Sequence, residues 1–182
     1  MLDQQAINDM ADRVLAAQDN ASAIAKLSND YPDMSVDDGY AVQWELRRRW
    51  IARGQRPVGV KAGLTSKAKM EQMGVHVPGF GFLMSDFARP ENGEIDTSAL
   101  IHPRVEAEIA FVTRTALAGE HCTVEEVLAA TDFVIPAVEV IDSRYQDFKF
   151  DLPSVIADNS SSARYVTGGR PMDPAGLDLP TI

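Results

Sequence analysis

Apolar residues recur at helical spacing through residues 3–27, where Ala, Ile, Leu and Val sit among polar side chains. This predicts one or two amphipathic helices. Tyr31-Pro32 interrupts them, because a proline inside a helix removes a hydrogen bond and clashes with the preceding turn. A second helix is predicted to begin at Ser35, since Ser35-Val-Asp-Asp38 has the capping-box form with Asp in place of Glu, and Gly54 follows Trp50 and Ile51 as its stop. After Pro57 the pattern changes to short apolar runs separated by Gly, Pro and Asn. Strands are predicted over 57–62, 101–113, 131–141 and 163–168, with helices near 66–73 and 123–130. The expected class is α+β: a helical segment over 1–55, then a mixed, largely antiparallel sheet over 56–182.

The run Pro103-Arg-Val-Glu-Ala-Glu-Ile-Ala-Phe111 places Glu106 and Glu108 one residue apart. On a strand both carboxylates share one face, with Val105, Ala107, Ile109 and Phe111 on the other. Neighbouring anions repel and lose hydration unless a cation or hydrogen-bond donors compensate them. A hard divalent metal would do so; a polar, solvent-facing strand edge is the plain alternative. A third acid, Glu139, lies in the nearly continuous apolar run Phe133-Val-Ile-Pro-Ala-Val-Glu-Val-Ile-Asp142, whose composition predicts a buried strand. It needs a partner there, either a metal or an ion pair with Arg104 or Arg144. Three glutamates form an all-oxygen set, which suits Mg2+ or Mn2+ better than Zn2+.

The chain has 182 residues, 45% of them hydrophobic, enough for one sizeable core. Its 27 acidic and 17 basic residues give a formal net charge of −10, which argues against nucleic acid as a partner. The basic cluster Arg47-Arg48-Arg49 falls near a predicted helix end and reads as a solvated terminus. Cys122 is the only cysteine, so no intrachain disulfide forms, and His121-Cys122 adjacency does not by itself activate a thiol. His76, His102 and His121 lack metal-ligand spacing, and Met70, Met73 and Met84 read as packing residues. No window reaches transmembrane length and the N-terminus lacks a secretory pattern, so the expected location is the cytoplasm. There is no Walker motif or dinucleotide-binding glycine pattern, and Gly79-Phe80-Gly81 alone does not indicate phosphate binding.

Four ordered motifs together resemble the fumarylacetoacetate hydrolase superfamily: Gly59-Val-Lys-Ala-Gly-Leu-Thr-Ser66, Pro103-Arg-Val-Glu-Ala-Glu108, Pro136-Ala-Val-Glu139 and Ala157-Asp-Asn-Ser-Ser161. The similarity runs from about residue 30 onward and points to the hydratase and decarboxylase branch of catechol meta-cleavage. It implies a rolled, mixed β-sheet and Mg2+, with Mn2+ as a substitute, bound by Glu106, Glu108 and Glu139. Relatives of this kind continue past Ile182, so the chain is expected to lack the family's C-terminal part. Within the branch, hydratases carry an acid before the Phe-Gly turn, where this chain has Pro78-Gly79-Phe80-Gly81. The segments Val140–Asp151 and Thr65–Gly74 also resemble the decarboxylase version.

The expected reaction is therefore metal-dependent loss of CO2 from 2-oxo-3-hexenedioate, giving 2-hydroxypenta-2,4-dienoate. Alternatives are hydration of 2-hydroxypenta-2,4-dienoate, or a non-catalytic metal-binding subunit beside a hydratase. The resemblance makes Lys61 the catalytic candidate, hydrogen-bonding or protonating an enolate, against the plain reading of a strand-end surface lysine. Leu64 is expected to line the pocket and Ser161 to bind a substrate carboxylate, although the Asp-Asn-Ser run also suits a turn or cap. Arg144 and Lys149 are further candidates for a second carboxylate. The resemblance also implies a homo-oligomer and a possible complex with the hydratase.

Overall fold

The computed structural model describes residues 1–65, 70–71, 78–119 and 121–179. Helix α1 spans Gln4–Asp19 and starts where the Asp3 carboxylate accepts from Ala6 N at 2.8 Å. Its buried residues, Ile7, Met10, Ala11, Val14 and Leu15, follow helical spacing. Helix α2, Val36–Ala52, begins at the capping box expected from the sequence, formed by Ser35 and Asp38. It buries Val42, Leu46 and Trp50, each one turn further on. Arg48 and Arg49 pair with Glu45, and Arg49 also reaches Asp12 on α1. Arg47 lies over the rings of Trp44 and Phe82 at 5.2 Å. Arg47 and Arg49 are thus engaged in stacking and pairing, while Arg48 stays largely exposed near the helix end, as expected of a solvated terminus.

Two sheets follow. Strand β1, Pro57–Gly63, pairs antiparallel with β2, Gly79–Met84. The second sheet has the order β3-β6-β5-β4, built from Ala88–Arg89, Ser162–Thr167, Thr131–Ile141 and Arg104–Thr113. β5 runs antiparallel to β4 on one side and to β6 on the other, while β3 and β6 are parallel. This is the expected mixed α+β arrangement. Helix α3, Val124–Ala130, leads into β5 behind a second capping box, Thr123 with Glu126. Helix α4, Leu152–Ala157, starts at the Asp151 cap.

Three differences from the predicted elements have physical causes. β4 begins at Arg104 instead of residue 101, because the backbone N–H groups of Ile101 and His102 donate to the Asp142 carboxylate instead of a strand partner. β2 and α4 were not expected. The glycines of Gly79-Phe80-Gly81 look like a turn, and α4 is only six residues long with proline in its first turn. The helix expected near 66–73 lies outside the described residues except at Met70 and Glu71, as do Met73 and His76.

The main core joins α1 and α2 to Phe82 and Met84 of β2, with Phe87, Tyr145 and Ala157. Gln43 ties three elements together, donating to Phe80 O at 2.8 Å and Ile156 O at 3.1 Å. α2 and α4 approach closely at Gly39, where a Cβ would lie 2.6 Å from Pro153 O. β4 is an edge strand, and its apolar alternation is not covered by the described residues: Val105 is 70% exposed and Phe111 43%. No helix among the described residues is long and apolar enough to cross a membrane.

Candidate metal centre

The register of β4 on β5 brings the acids together. Glu106 lies directly opposite Glu139, and Glu108 is two residues further along the same face of β4. Carboxylate oxygens of all three lie within 4.8 Å of one another. Glu106 and Glu108 are exposed on the strand, whereas Glu139 is only 4% exposed. Facing glutamates on adjacent strands oppose pairing, since like charges directly across a ladder are destabilising. Burial raises the Glu108 pKa, and the charges of Glu139 and Glu106 raise it further against the opposing pull of Lys61.

Compensation within the chain is partial. β1 carries Lys61 to the other sheet, where its Nζ lies 2.9 Å from Glu139 Oε2, with the lysine side chain 10% exposed. The partner of Glu139 is thus Lys61, and neither Arg104 nor Arg144. The ammonium faces Oε2, and among the described residues the buried Oε1 of Glu139 has no hydrogen-bond donor. An unfilled acceptor of this kind is costly in a protein interior. A hard divalent cation bound through oxygen would fill it and offset the mutual repulsion of Glu106, Glu108 and Glu139. The donor set therefore fits Mg2+ or Mn2+.

A cavity of about 700 Å3 opens beside the acids, with Lys61, Leu64, Glu106, Glu108 and Ser161 on its wall. Glu139 is buried next to these groups and reaches them through its carboxylate. The structure thus gathers Lys61, Leu64, Glu106, Glu108, Glu139 and Ser161 into one region. Leu64 has φ +58°, an uncommon conformation for a bulky side chain. Ser161 ends three consecutive left-handed residues, Asn159, Ser160 and Ser161, and its buried hydroxyl has no hydrogen-bond partner among the described residues.

That left-handed segment is pinned from two sides. The Asn159 amide donates to Phe82 O at 2.9 Å and accepts from Phe82 N at 2.7 Å, while Ser160 Oγ donates to Phe80 O at 3.0 Å. Gly81 allows the approach, because a Cβ there would meet Asn159 O at 2.6 Å. On the other side, fully buried Asp158 accepts from the backbone N–H and guanidinium of Arg144. Arg144 also donates to the carbonyls of Asp142, Ser162 and Asp158. It is 1% exposed and occupied by these bonds, which rules out the substrate-carboxylate role suggested for it. Cys122 is exposed beside a separate depression that includes His121, and its Sγ lies 3.8 Å from Ala118 O.

Sequence reasoning did not single out Asn159, Ser160 or Phe148. Phe148 lines the cavity from a turn in which Asp147 and Phe148 both have positive φ. The only visible signal was their position within segments already matched to the family.

No family model matches the chain. It is 57% identical over 173 residues to the 4-oxalocrotonate decarboxylase of Pseudomonas sp. strain CF600, a match covering 95% of this chain and 66% of that protein. It is 42% identical over 174 residues to the 2-keto-4-pentenoate hydratase of Paraburkholderia xenovorans strain LB400, covering 96% of this chain and 65% of the hydratase. A solved 4-oxalocrotonate decarboxylase from Pseudomonas putida G7, complexed with magnesium and adipate, superposes with TM-score 0.95 at 51% identity. That superposition covers 98% of this chain and 68% of the solved one. The chain thus spans about two thirds of the length of the relatives it matches. It belongs to the hydratase and decarboxylase family that includes the 4-oxalocrotonate decarboxylases and the 2-keto-4-pentenoate hydratases.

Proposed function

We propose that this chain carries the metal centre of a 4-oxalocrotonate decarboxylase, converting 2-oxo-3-hexenedioate into 2-hydroxypenta-2,4-dienoate and CO2. The observation that carries this reading is the convergence of Glu106, Glu108 and Glu139 beside a cavity, with Glu139 Oε1 lacking a donor among the described residues. The comparisons favour decarboxylation over hydration, at 57% identity against 42%. Magnesium in the solved relative supports the choice of metal.

A divalent cation on Glu106, Glu108 and Glu139 would act as a Lewis acid toward the negative charge that develops on the 2-oxo oxygen. The substrate is a vinylogous β-keto acid, so the bond to the departing carboxylate breaks as its electrons move through the alkene onto that oxygen. Lys61 holds its Nζ beside Glu139 and can donate a hydrogen bond to the enolate. Ser161, whose hydroxyl has no partner among the described residues, can donate to a substrate carboxylate. Leu64 contributes an apolar wall, which lowers the local dielectric around the charges. Assembly into a homo-oligomer, association with the hydratase that consumes the product, and a cytoplasmic location belong to the same proposal. The hydratase relatives of the same family lend it support.

The test is CO2 release from 2-oxo-3-hexenedioate by the chain with Mg2+ or with EDTA, and identification of the organic product by mass spectrometry. Mg2+-dependent CO2 with 2-hydroxypenta-2,4-dienoate is expected. A hydrated product without CO2 would replace this reading with the hydratase.

A further inference from the structure

Three cations line the cavity among the described residues: Lys61, Arg104 and Lys149. Lys61 is paired with Glu139, and Lys149, with its side chain 80% exposed, is paired with Asp147. Arg104 has no carboxylate at ion-pair distance among the described residues. Its guanidinium instead stacks 3.8 Å from the centre of the Phe148 ring. Phe148 is set there by the turn in which it and Asp147 both adopt positive φ, at 57° and 56°. Non-glycine residues held in this region mark strain that the surrounding structure must sustain, and such outliers gather at ligand sites.

Charge matching leaves a role for this guanidinium. One divalent cation together with Lys61 would balance the charge of Glu106, Glu108 and Glu139. A dianionic substrate then enters without compensation from that cluster. Arg104 begins β4 on the same face as Glu106 and Glu108, so its Cα lies about 6.6 Å along the strand from that of Glu106. That offset suits a carboxylate at the far end of a six-carbon chain whose other end is bound at the acids.

We propose that Arg104, held by Phe148, binds the remote carboxylate of the substrate and selects dicarboxylates over monocarboxylates. This rests on the decarboxylase reading above. The planar guanidinium offers paired donors matched to a carboxylate, which a lysine cannot reproduce. The carboxylate it holds leaves as neutral CO2, so the contact is strongest before bond cleavage. Removing it should therefore raise KM more than it lowers kcat.

The experiment compares Mg2+-dependent binding of adipate and hexanoate, by calorimetry, to the native chain, Arg104→Met and Arg104→Lys, alongside KM and kcat for 2-oxo-3-hexenedioate. The native chain should prefer adipate by about 10- to 100-fold, the range of a charged hydrogen-bonded contact. Arg104→Met should bind both acids equally and show a KM raised by a similar factor, with Arg104→Lys between the two. Thermal unfolding and Mn2+ affinity of the variants establish that the fold and the acid cluster survive. Native CO2 release together with undiminished adipate preference in Arg104→Met overturns the Arg104 assignment alone. Absence of Mg2+-dependent adipate binding by the native chain overturns both this inference and the reading beneath it.

Discussion

Lys61 and Glu139 form a nearly dry ion pair in which the second carboxylate oxygen, Oε1, lacks a hydrogen-bond donor among the described residues. Taking one partner from such a pair leaves a buried charge, which costs about 3–5 kcal/mol. Lys61→Met should thus lower the unfolding temperature sharply without added metal. Mg2+ should restore more stability to the variant than to the native chain, because the ammonium no longer competes for Glu139. Thermal unfolding with and without Mg2+ checks this, and equal Mg2+ shifts in the two proteins would contradict it. At this scale the sequence was informative about the acids but pointed to Arg104 or Arg144, and not to Lys61, as the counterion of Glu139. The spacing of Glu106 and Glu108 on a strand was legible by itself, as was an acid in the apolar run around Glu139. That Lys61 of the other sheet supplies the cation depends on how two sheets pack, which no local pattern records.

Elements with strong end signals were the most legible. Ser35 and Asp38 form the capping box that their spacing suggested, and β5 has the predicted bounds. β2 was missed because its glycines serve packing instead of a turn: Gly81 lets the backbone of Asn159 approach β2. The Asn159 amide takes the place of a strand partner for Phe82 and so anchors Ser160 and Ser161 at the cavity. Gly81→Ala should force that segment away, since the clash is with backbone and not with a flexible side chain. The expected loss is about 1–3 kcal/mol of stability in denaturant unfolding, with a larger proportional loss of turnover. Native stability in this variant would show that the segment is not seated by Gly81.

The whole molecule assembles its chemistry from distant parts of the chain. β1 gives Lys61, β4 gives Glu106 and Glu108, β5 gives Glu139, and the segment before β6 gives Ser161. The expected mixed α+β class follows from patterning, but the exposure of β4 does not. Val105 and Phe111 stay open because no described element packs over them. Which face of a strand is covered depends on how elements pack and not on the strand's own residues. The acids nonetheless meet without any element beyond those described, so metal binding can be measured on the chain as it stands. The most direct measurement is calorimetric titration of Mn2+ into the native chain, Glu106→Gln and Glu139→Gln, each confirmed as folded by circular dichroism. One Mn2+ per native chain is predicted, with affinity reduced more than about tenfold in both variants, since even outer-shell losses cost that much. Native affinity in both Gln variants would contradict a metal centre at these glutamates.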